Sequence, residues 1–241
     1  MHTYLITGAS RGLGLEICRR LLADGDKVIA ISRNKSQEFS LLMEAYEEKV
    51  IFIAYDLEDV NQIKDKIFKP ILKENIILHG FVNNAAVAYE DLITNIHLDA
   101  LQKMINVNQV APMLLSKYVI RNMILHNTRG SLVHISSISA HTGFKGLGMY
   151  AATKGAMEAF SNNLAREWGR MGIRSNCVAA GFMETDMTQV MNEEHKQKIY
   201  NRSSLKGPTD VSSEASTVSF LLNNSSSSIT GQVINVDSGM I

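Results

Sequence analysis

Tyr150 and Lys154 stand four residues apart in Tyr150-Ala151-Ala152-Thr153-Lys154, a spacing that puts both side chains on one face of a helix. A nearby ammonium favours phenolate over phenol, so the expectation is a tyrosine whose pKa falls below its ordinary value of about 10. A phenol tuned in this way can act as general acid or base near neutral pH. The spacing alone is common by chance, and its surroundings decide how it is read. Ser137, in Ile135-Ser136-Ser137, lies just past a run that reads as a buried strand, where its hydroxyl could hold a carbonyl oxygen beside the phenol. Asn108 falls in mid-helix, where an amide is a weak helix former. It reads either as a solvent-exposed residue or as the anchor of an ordered water joining Lys154 to solvent. His134 and His141 flank Ser137 without a spaced acidic or metal-binding partner, and read as a strand residue and an exposed loop residue.

A second group of residues suits a phosphate. Thr7-Gly8-Ala9-Ser10-Arg11-Gly12-Leu13-Gly14 follows a strand-like run and opens a helix-like one. Gly8 permits a tight turn, Gly12 lets backbone approach a ligand, and Gly14 lets the helix pack close to the sheet. The helix N-terminus then offers N–H groups to a pyrophosphate. The spacing is G-x3-G-x-G rather than G-x-G-x-x-G. At the end of the next strand an acid would bind ribose hydroxyls and repel a 2′-phosphate. Ser32-Arg33-Asn34 has no acid there, and Arg33 with Arg11 could bracket a 2′-phosphate. Two solvated surface arginines are the plainer alternative. The expectation is NADP(H), with NAD(H) as the other cofactor. Asp56-Leu57 follows the third strand, where the acid either accepts from an adenine amino group or serves a turn. After the fourth strand, Asn83-Asn84-Ala85-Ala86 either ties neighbouring strands and admits a ribose against backbone, or is a polar turn.

The elements that must position these groups alternate. Strand-like apolar runs cover residues 4–6, 27–31, 50–54, 76–82, 131–136, 173–179 and 232–236, and helical stretches cover 12–23, 37–48, 60–73, 98–126, 149–170 and 212–222. Near-continuous apolar strands joined through helices imply a parallel sheet covered on both faces. Val60, Ile63, Ile67 and Ile71 follow helical spacing and supply one buried stripe. The expected fold is α/β: a Rossmann-type doubly wound parallel sheet, forming a single domain over residues 1–241. Residues 1 to about 130 make its cofactor half, and the rest its catalytic half. Ligands belong at the carboxyl ends of the strands.

Composition narrows the function classes. Lys+Arg and Asp+Glu are both 24, so the chain lacks the basic surplus of a non-specific nucleic-acid binder. Cys18 and Cys177 make neither a disulfide framework nor a metal cluster, which suits a reducing compartment. No run approaches the roughly 18 apolar residues of a membrane span, and no basic leader opens the chain. A cytoplasmic protein is the expectation, with neither membrane nor nucleic acid as partner.

Residues 7–14, Asn83-Asn84-Ala85, Asn108, Ser137, Tyr150 and Lys154 together resemble the short-chain dehydrogenase/reductases, in order and over essentially the whole chain. The resemblance implies a homotetrameric enzyme that moves hydride between nicotinamide C4 and a carbonyl carbon. Asn108, Ser137, Tyr150 and Lys154 would be its catalytic residues. Its cofactor contacts would be Gly8, Ser10, Arg11, Gly12, Leu13, Gly14, Arg33, Asp56, Leu57, Asn84, Ala85, Tyr150, Lys154, Gly181, Met183 and Thr185. Residues 181–188 and 229–237 are similar to 3-oxoacyl-(acyl-carrier-protein) reductases, which implies a 3-oxoacyl thioester substrate and an acyl-carrier-protein partner. Ala180-Gly181 replaces the family's Pro-Gly, which would loosen a turn near the nicotinamide, and Ala86 replaces a glycine. Arg129 and Arg170 are candidates for the basic mouth that an acidic carrier needs. Met183, Met187 and Met191 read as core packing, or as the flexible surface of a lid over an acyl chain, with Phe144 and Leu147 lining the same pocket. Sugar, polyol or steroid substrates, and a nucleotide-binding regulatory module without turnover, are the alternatives.

Overall fold

A computed structural model describes residues 1–184 and 192–241. Seven strands, β1 (Thr3–Thr7), β2 (Lys27–Ser32), β3 (Val50–Ala54), β4 (Gly80–Asn83), β5 (Ser131–Ser137), β6 (Arg174–Ala180) and β7 (Val233–Val236), form one sheet in the order β3-β2-β1-β4-β5-β6-β7. Every pairing is parallel. The chain reverses its direction of travel between β1 and β4, so a crevice opens there at the strands' carboxyl ends.

Alternation along the strands feeds two cores. Ile6, Ala30, Val82, Val133 and Val178 face one side. There they meet α1 (Gly12–Ala23), α2 (Gln37–Ala45) and α8 (Val211–Leu222). Leu5, Ile29, Phe81 and Leu132 face the other. That side is covered by α3 (Lys69–Lys73) with the turn before it, α5 (Ala111–Leu125) and α6 (Gly148–Trp168). Ile63, Ile67 and Ile71 are buried there, as their spacing predicts. Each core draws residues from both sides of position 130. The fold is the one expected, a doubly wound α/β domain.

Three departures from expectation have a physical reason. β4 starts at Gly80 rather than at residue 76, because Asn122 of α5 occupies the backbone before it. The Asn122 amide donates to Ile76 O at 2.9 Å and accepts from Leu78 N at 2.9 Å. The expected helices 60–73 and 98–126 both contain a π-helical widening, at Lys64–Phe68 and at Asn106–Val110, the latter between α4 (Leu98–Ile105) and α5. Pro70 and Pro112 follow these widenings at the starts of α3 and α5. A proline has no N–H to offer the carbonyl four residues earlier, and the wider i→i+5 turn absorbs the gap. The last helix before α8 is α7 (Glu193–Tyr200).

Candidate active site

β1 runs into a loop whose glycines are required by its path. Gly8 and Gly12 take φ of +65° and +53°. At Gly14 a Cβ would lie 2.1 Å from Gly8 O and 2.7 Å from Asn84 Nδ2, so only glycine lets α1 start this close to the loop. Arg11, the N-cap, is extended and gives no side-chain cap, and the first turn of α1 holds no acid. That turn therefore presents N–H groups and positive dipole character without an internal counter-charge, an arrangement that fits a pyrophosphate. Leu13 is buried beneath it.

Hydrogen bonds join this loop to its neighbours. Thr7 Oγ1 accepts from the backbone N–H groups of Asn84 and Ala85, both at 3.1 Å. Asn84 Nδ2 donates to Thr7 O at 2.9 Å and Gly8 O at 3.2 Å, so Asn84 ties the end of β4 to the end of β1. Ser10 N donates to Ser32 Oγ at 3.2 Å, and Ser36 Oγ donates to Ser10 O at 2.5 Å. Exposed Arg11 and Arg33 thus stand on two loops held to one another. Asp56 spends one carboxylate oxygen on Glu58 N at 3.0 Å, as a turn residue does, while Leu57 is buried.

Across the crevice, α6 carries Tyr150 and Lys154 and β5 ends at Ser137. The Ser137 hydroxyl faces the Tyr150 phenol closely enough to lower its pKa. Lys154, only 5% exposed, donates from Nζ to Ile135 O at 2.7 Å. The three groups meet as expected, but the electrostatics are reversed. Burial pushes the Tyr150 phenol up to about 12, opposed by the Ser137 hydroxyl. Lys154 lies over the face of the tyrosine ring, with Nζ 5.5 Å from its centroid, and burial lowers its own pKa to about 8. A lowered phenol pKa is therefore not a property of the chain by itself, because desolvation outweighs the Ser137 hydroxyl that opposes it.

Asn108 is buried, at 3% exposure, which removes the solvent-exposed reading. Its Oδ1 accepts from Val87 N at 2.9 Å, and its Nδ2 donates to Val87 O at 2.9 Å and to Thr153 Oγ1 at 3.1 Å. Thr153 immediately precedes Lys154, so this amide links the widened turn to the helix of the tyrosine. Pro112, four residues on, also denies the Asn108 carbonyl its usual α-helical donor.

The turn after β6 is tighter than expected. Gly181 N donates to Val236 O at 2.9 Å, and Thr209 N donates to Phe182 O at 2.7 Å. A Cβ at Gly181 would lie 2.3 Å from Thr209 Oγ1 and 2.5 Å from Asp237 Cα. β7 and the segment leading into α8 hold this turn without the missing proline. Met183 packs against the α1–α8 core, whereas Thr185, Met187 and Met191 lie outside the described residues. Arg129 precedes β5 and Arg170 precedes β6, at the sheet's amino-terminal edge, so neither flanks the crevice. His134 is a fully buried strand residue held neutral, with its pKa pushed down to about 3 by burial.

His141 does have an acidic partner, which the sequence reading missed. Its Nε2 lies 2.9 Å from both carboxylate oxygens of Glu158. The available signal was the continuation of the tyrosine–lysine spacing by one more step of four. Among the described residues there is no group of three or more His, Cys, Asp or Glu that could hold a metal, and no helix is long and apolar enough to cross a membrane.

Residues 8–241 match the family model described as Enoyl-(Acyl carrier protein) reductase. The L-xylulose reductase of Caenorhabditis elegans is 33% identical over 237 residues, covering 98% of this chain and 94% of that protein. The 3-oxoacyl-(acyl-carrier-protein) reductase of Salmonella typhimurium is 33% identical over 241 residues, covering 98% of this chain and 96% of that protein. Among solved structures, ElxO with NADP bound matches with a TM-score of 0.89 at 28% identity, over 99% of this chain and 98% of that one.

Proposed function

The chain belongs to the short-chain dehydrogenase/reductase family of NAD(P)-dependent oxidoreductases, and from that premise we propose that it reduces a 3-oxoacyl thioester to the 3-hydroxy compound with NADP(H). The observation that carries the reading is the meeting of Tyr150, Ser137 and Lys154 at the crevice, with Lys154 Nζ 5.5 Å from the centre of the Tyr150 ring. A phenol with its proton in place is the form needed to donate to a carbonyl oxygen.

The nicotinamide, when bound, supplies the hydride that adds to the carbonyl carbon. Tyr150 gives its phenolic proton to the oxygen as negative charge gathers there. Ser137 donates a hydrogen bond to the same oxygen, a contribution that strengthens toward the transition state. Lys154 gives one N–H to Ile135 O and would hold the nicotinamide ribose with the others, leaving its charge beside the phenol. Asn108 would position the water through which the phenol regains its proton. The first turn of α1 would hold the pyrophosphate, with Gly181, Met183 and Thr185 along the nicotinamide. Arg33 and Arg11, with no acid at the end of β2, favour a 2′-phosphate and hence NADP(H) over NAD(H). The NADP held by ElxO supports the same choice.

Similarity to 3-oxoacyl-(acyl-carrier-protein) reductases supports the thioester, with a carrier protein as donor. A second reading, reduction of a small sugar or polyol ketone, is favoured by the equal identity to L-xylulose reductase and by the placement of Arg129 and Arg170 away from the crevice. Assembly as a homotetramer, through α5, α6 and β7, belongs to the same reading. The test is NADPH turnover of acetoacetyl thioesters against xylulose and simple ketones. Faster use of the sugar overturns the thioester reading, and turnover with NADH alone overturns the cofactor choice.

A further inference from the structure

We infer that Glu158 is a positioning residue for the proposed reductase reaction, stapling the end of β5 to α6 so that Ser137 is held against Tyr150. The inference rests on the reductase reading and concerns what fixes that site's geometry. Glu158 continues the spacing of Tyr150 and Lys154 along α6, so a single helix carries the proton donor, the ammonium and this carboxylate.

Glu158 binds the strand on both sides of a turn. Ser136 Oγ donates to Glu158 Oε1 at 2.5 Å. His141 Nε2 lies 2.9 Å from Oε1 and 2.9 Å from Oε2, and facing a carboxylate this nitrogen carries the proton. Between the two partners lies the 3₁₀ turn Ile138–Ala140, entered from Ser137 with Ser139 N donating to Ser137 Oγ at 3.2 Å. Ser136 and Ser137 are adjacent at the end of β5, so fixing Ser136 against α6 restrains the backbone from which Ser137 projects. His141 fixes the chain where it leaves the turn. Ser136 is buried and its bond to Glu158 is half-buried, whereas the His141 contact is exposed, so the Ser136 bond is the better shielded arm of the staple.

Ser137 needs such support. It is the last residue of β5, beyond the His134 register that pairs with β4, and its only remaining ladder partner is Ala180 of β6. A strand end secured on one side can swing, and a displacement near 1 Å at a reacting group costs roughly 100-fold in rate.

The experiment compares Glu158→Leu and Glu158→Gln with wild type. The leucine variant loses both bonds, whereas the glutamine oxygen still accepts from Ser136. Expected for Glu158→Leu is a kcat lower by roughly 10- to 100-fold, with substrate KM and NADPH affinity, read by fluorescence, within about twofold of wild type. Glu158→Gln recovers most of the kcat. Hydrogen exchange of the peptide covering residues 135–142 rises in the leucine variant and not in the glutamine variant. Unchanged kcat in Glu158→Leu overturns the inference, as does equal damage in both variants or an exchange increase spread evenly over the chain. A wild-type protein that turns over no carbonyl with NADPH overturns the reductase reading instead, and the exchange comparison still decides whether the staple exists.

Discussion

Lys154 and Glu214 are both buried ionisable groups, yet the chain treats them in opposite ways. Lys154 lies under the crevice with a backbone acceptor at 2.7 Å and a phenol ring beside it. Glu214 lies on the buried face of α8, with no exposed surface and no donor to either carboxylate oxygen among the described residues. Burial, reinforced by the Asp237 carboxylate, raises its pKa to about 8. The same desolvation lowers Lys154 to about 8. The lesson is that burial alone does not mark a functional charge. Lys154 is placed where a charge can act on a reacting group, whereas Glu214 escapes its penalty by staying neutral.

The comparison is broken most directly at Lys154. Lys154→Met removes the ammonium beside the phenol, and turnover should fall by roughly 100- to 10,000-fold. The same change removes a buried cation, so the melting temperature at pH 7 should rise. A variant that loses stability and keeps its turnover would place Lys154 with the structural residues. Glu214→Met is the mirror experiment. It should leave turnover as it was and stabilise the protein at pH 8 by on the order of 3 kcal/mol, with Glu214→Gln as the shape-preserving control that also abolishes the titration.

The wild type offers the smallest and sharpest effect. Folded Glu214 keeps its proton to about 8 and the unfolded one only to 4.5, so stability falls as pH rises between those values. Folded Lys154 loses its proton at about 8 and the unfolded one at 10.5, so stability rises across that second interval. Urea unfolding from pH 5 to 10 should therefore show a minimum near pH 8. Glu214→Met should flatten only the acid limb, and Lys154→Met only the alkaline one. A monotonic profile would show that neither group carries the penalty assigned to it.

Much of this was readable from the chain. The glycine loop follows β1 as its spacing requires, Asn84 ties two strands, and Ser137, Tyr150 and Lys154 converge. What escaped depends on neighbours distant in sequence. The phenol's pKa follows from how much water the fold removes, which no local spacing reports. The Glu158 staple joins residues 17 and 22 positions apart. Glu214 looks like an ordinary surface residue until α8 is oriented. The widened helices were half legible, since Pro70 and Pro112 stand inside the stretches 60–73 and 98–126 that were expected as unbroken helices.

That second widening sets how α4 and α5 face the rest of the molecule. One additional residue within a turn rotates everything beyond it by about 100° relative to an unbroken helix. Deleting a single residue between 106 and 110 would restore regular winding and keep the composition nearly intact. It would also swing the Asn108 amide away from Val87 and Thr153, or turn the apolar side of α5 off the sheet. The surplus residue thus lets one continuous rod serve two masters, a packed interior at one end and a crevice wall at the other.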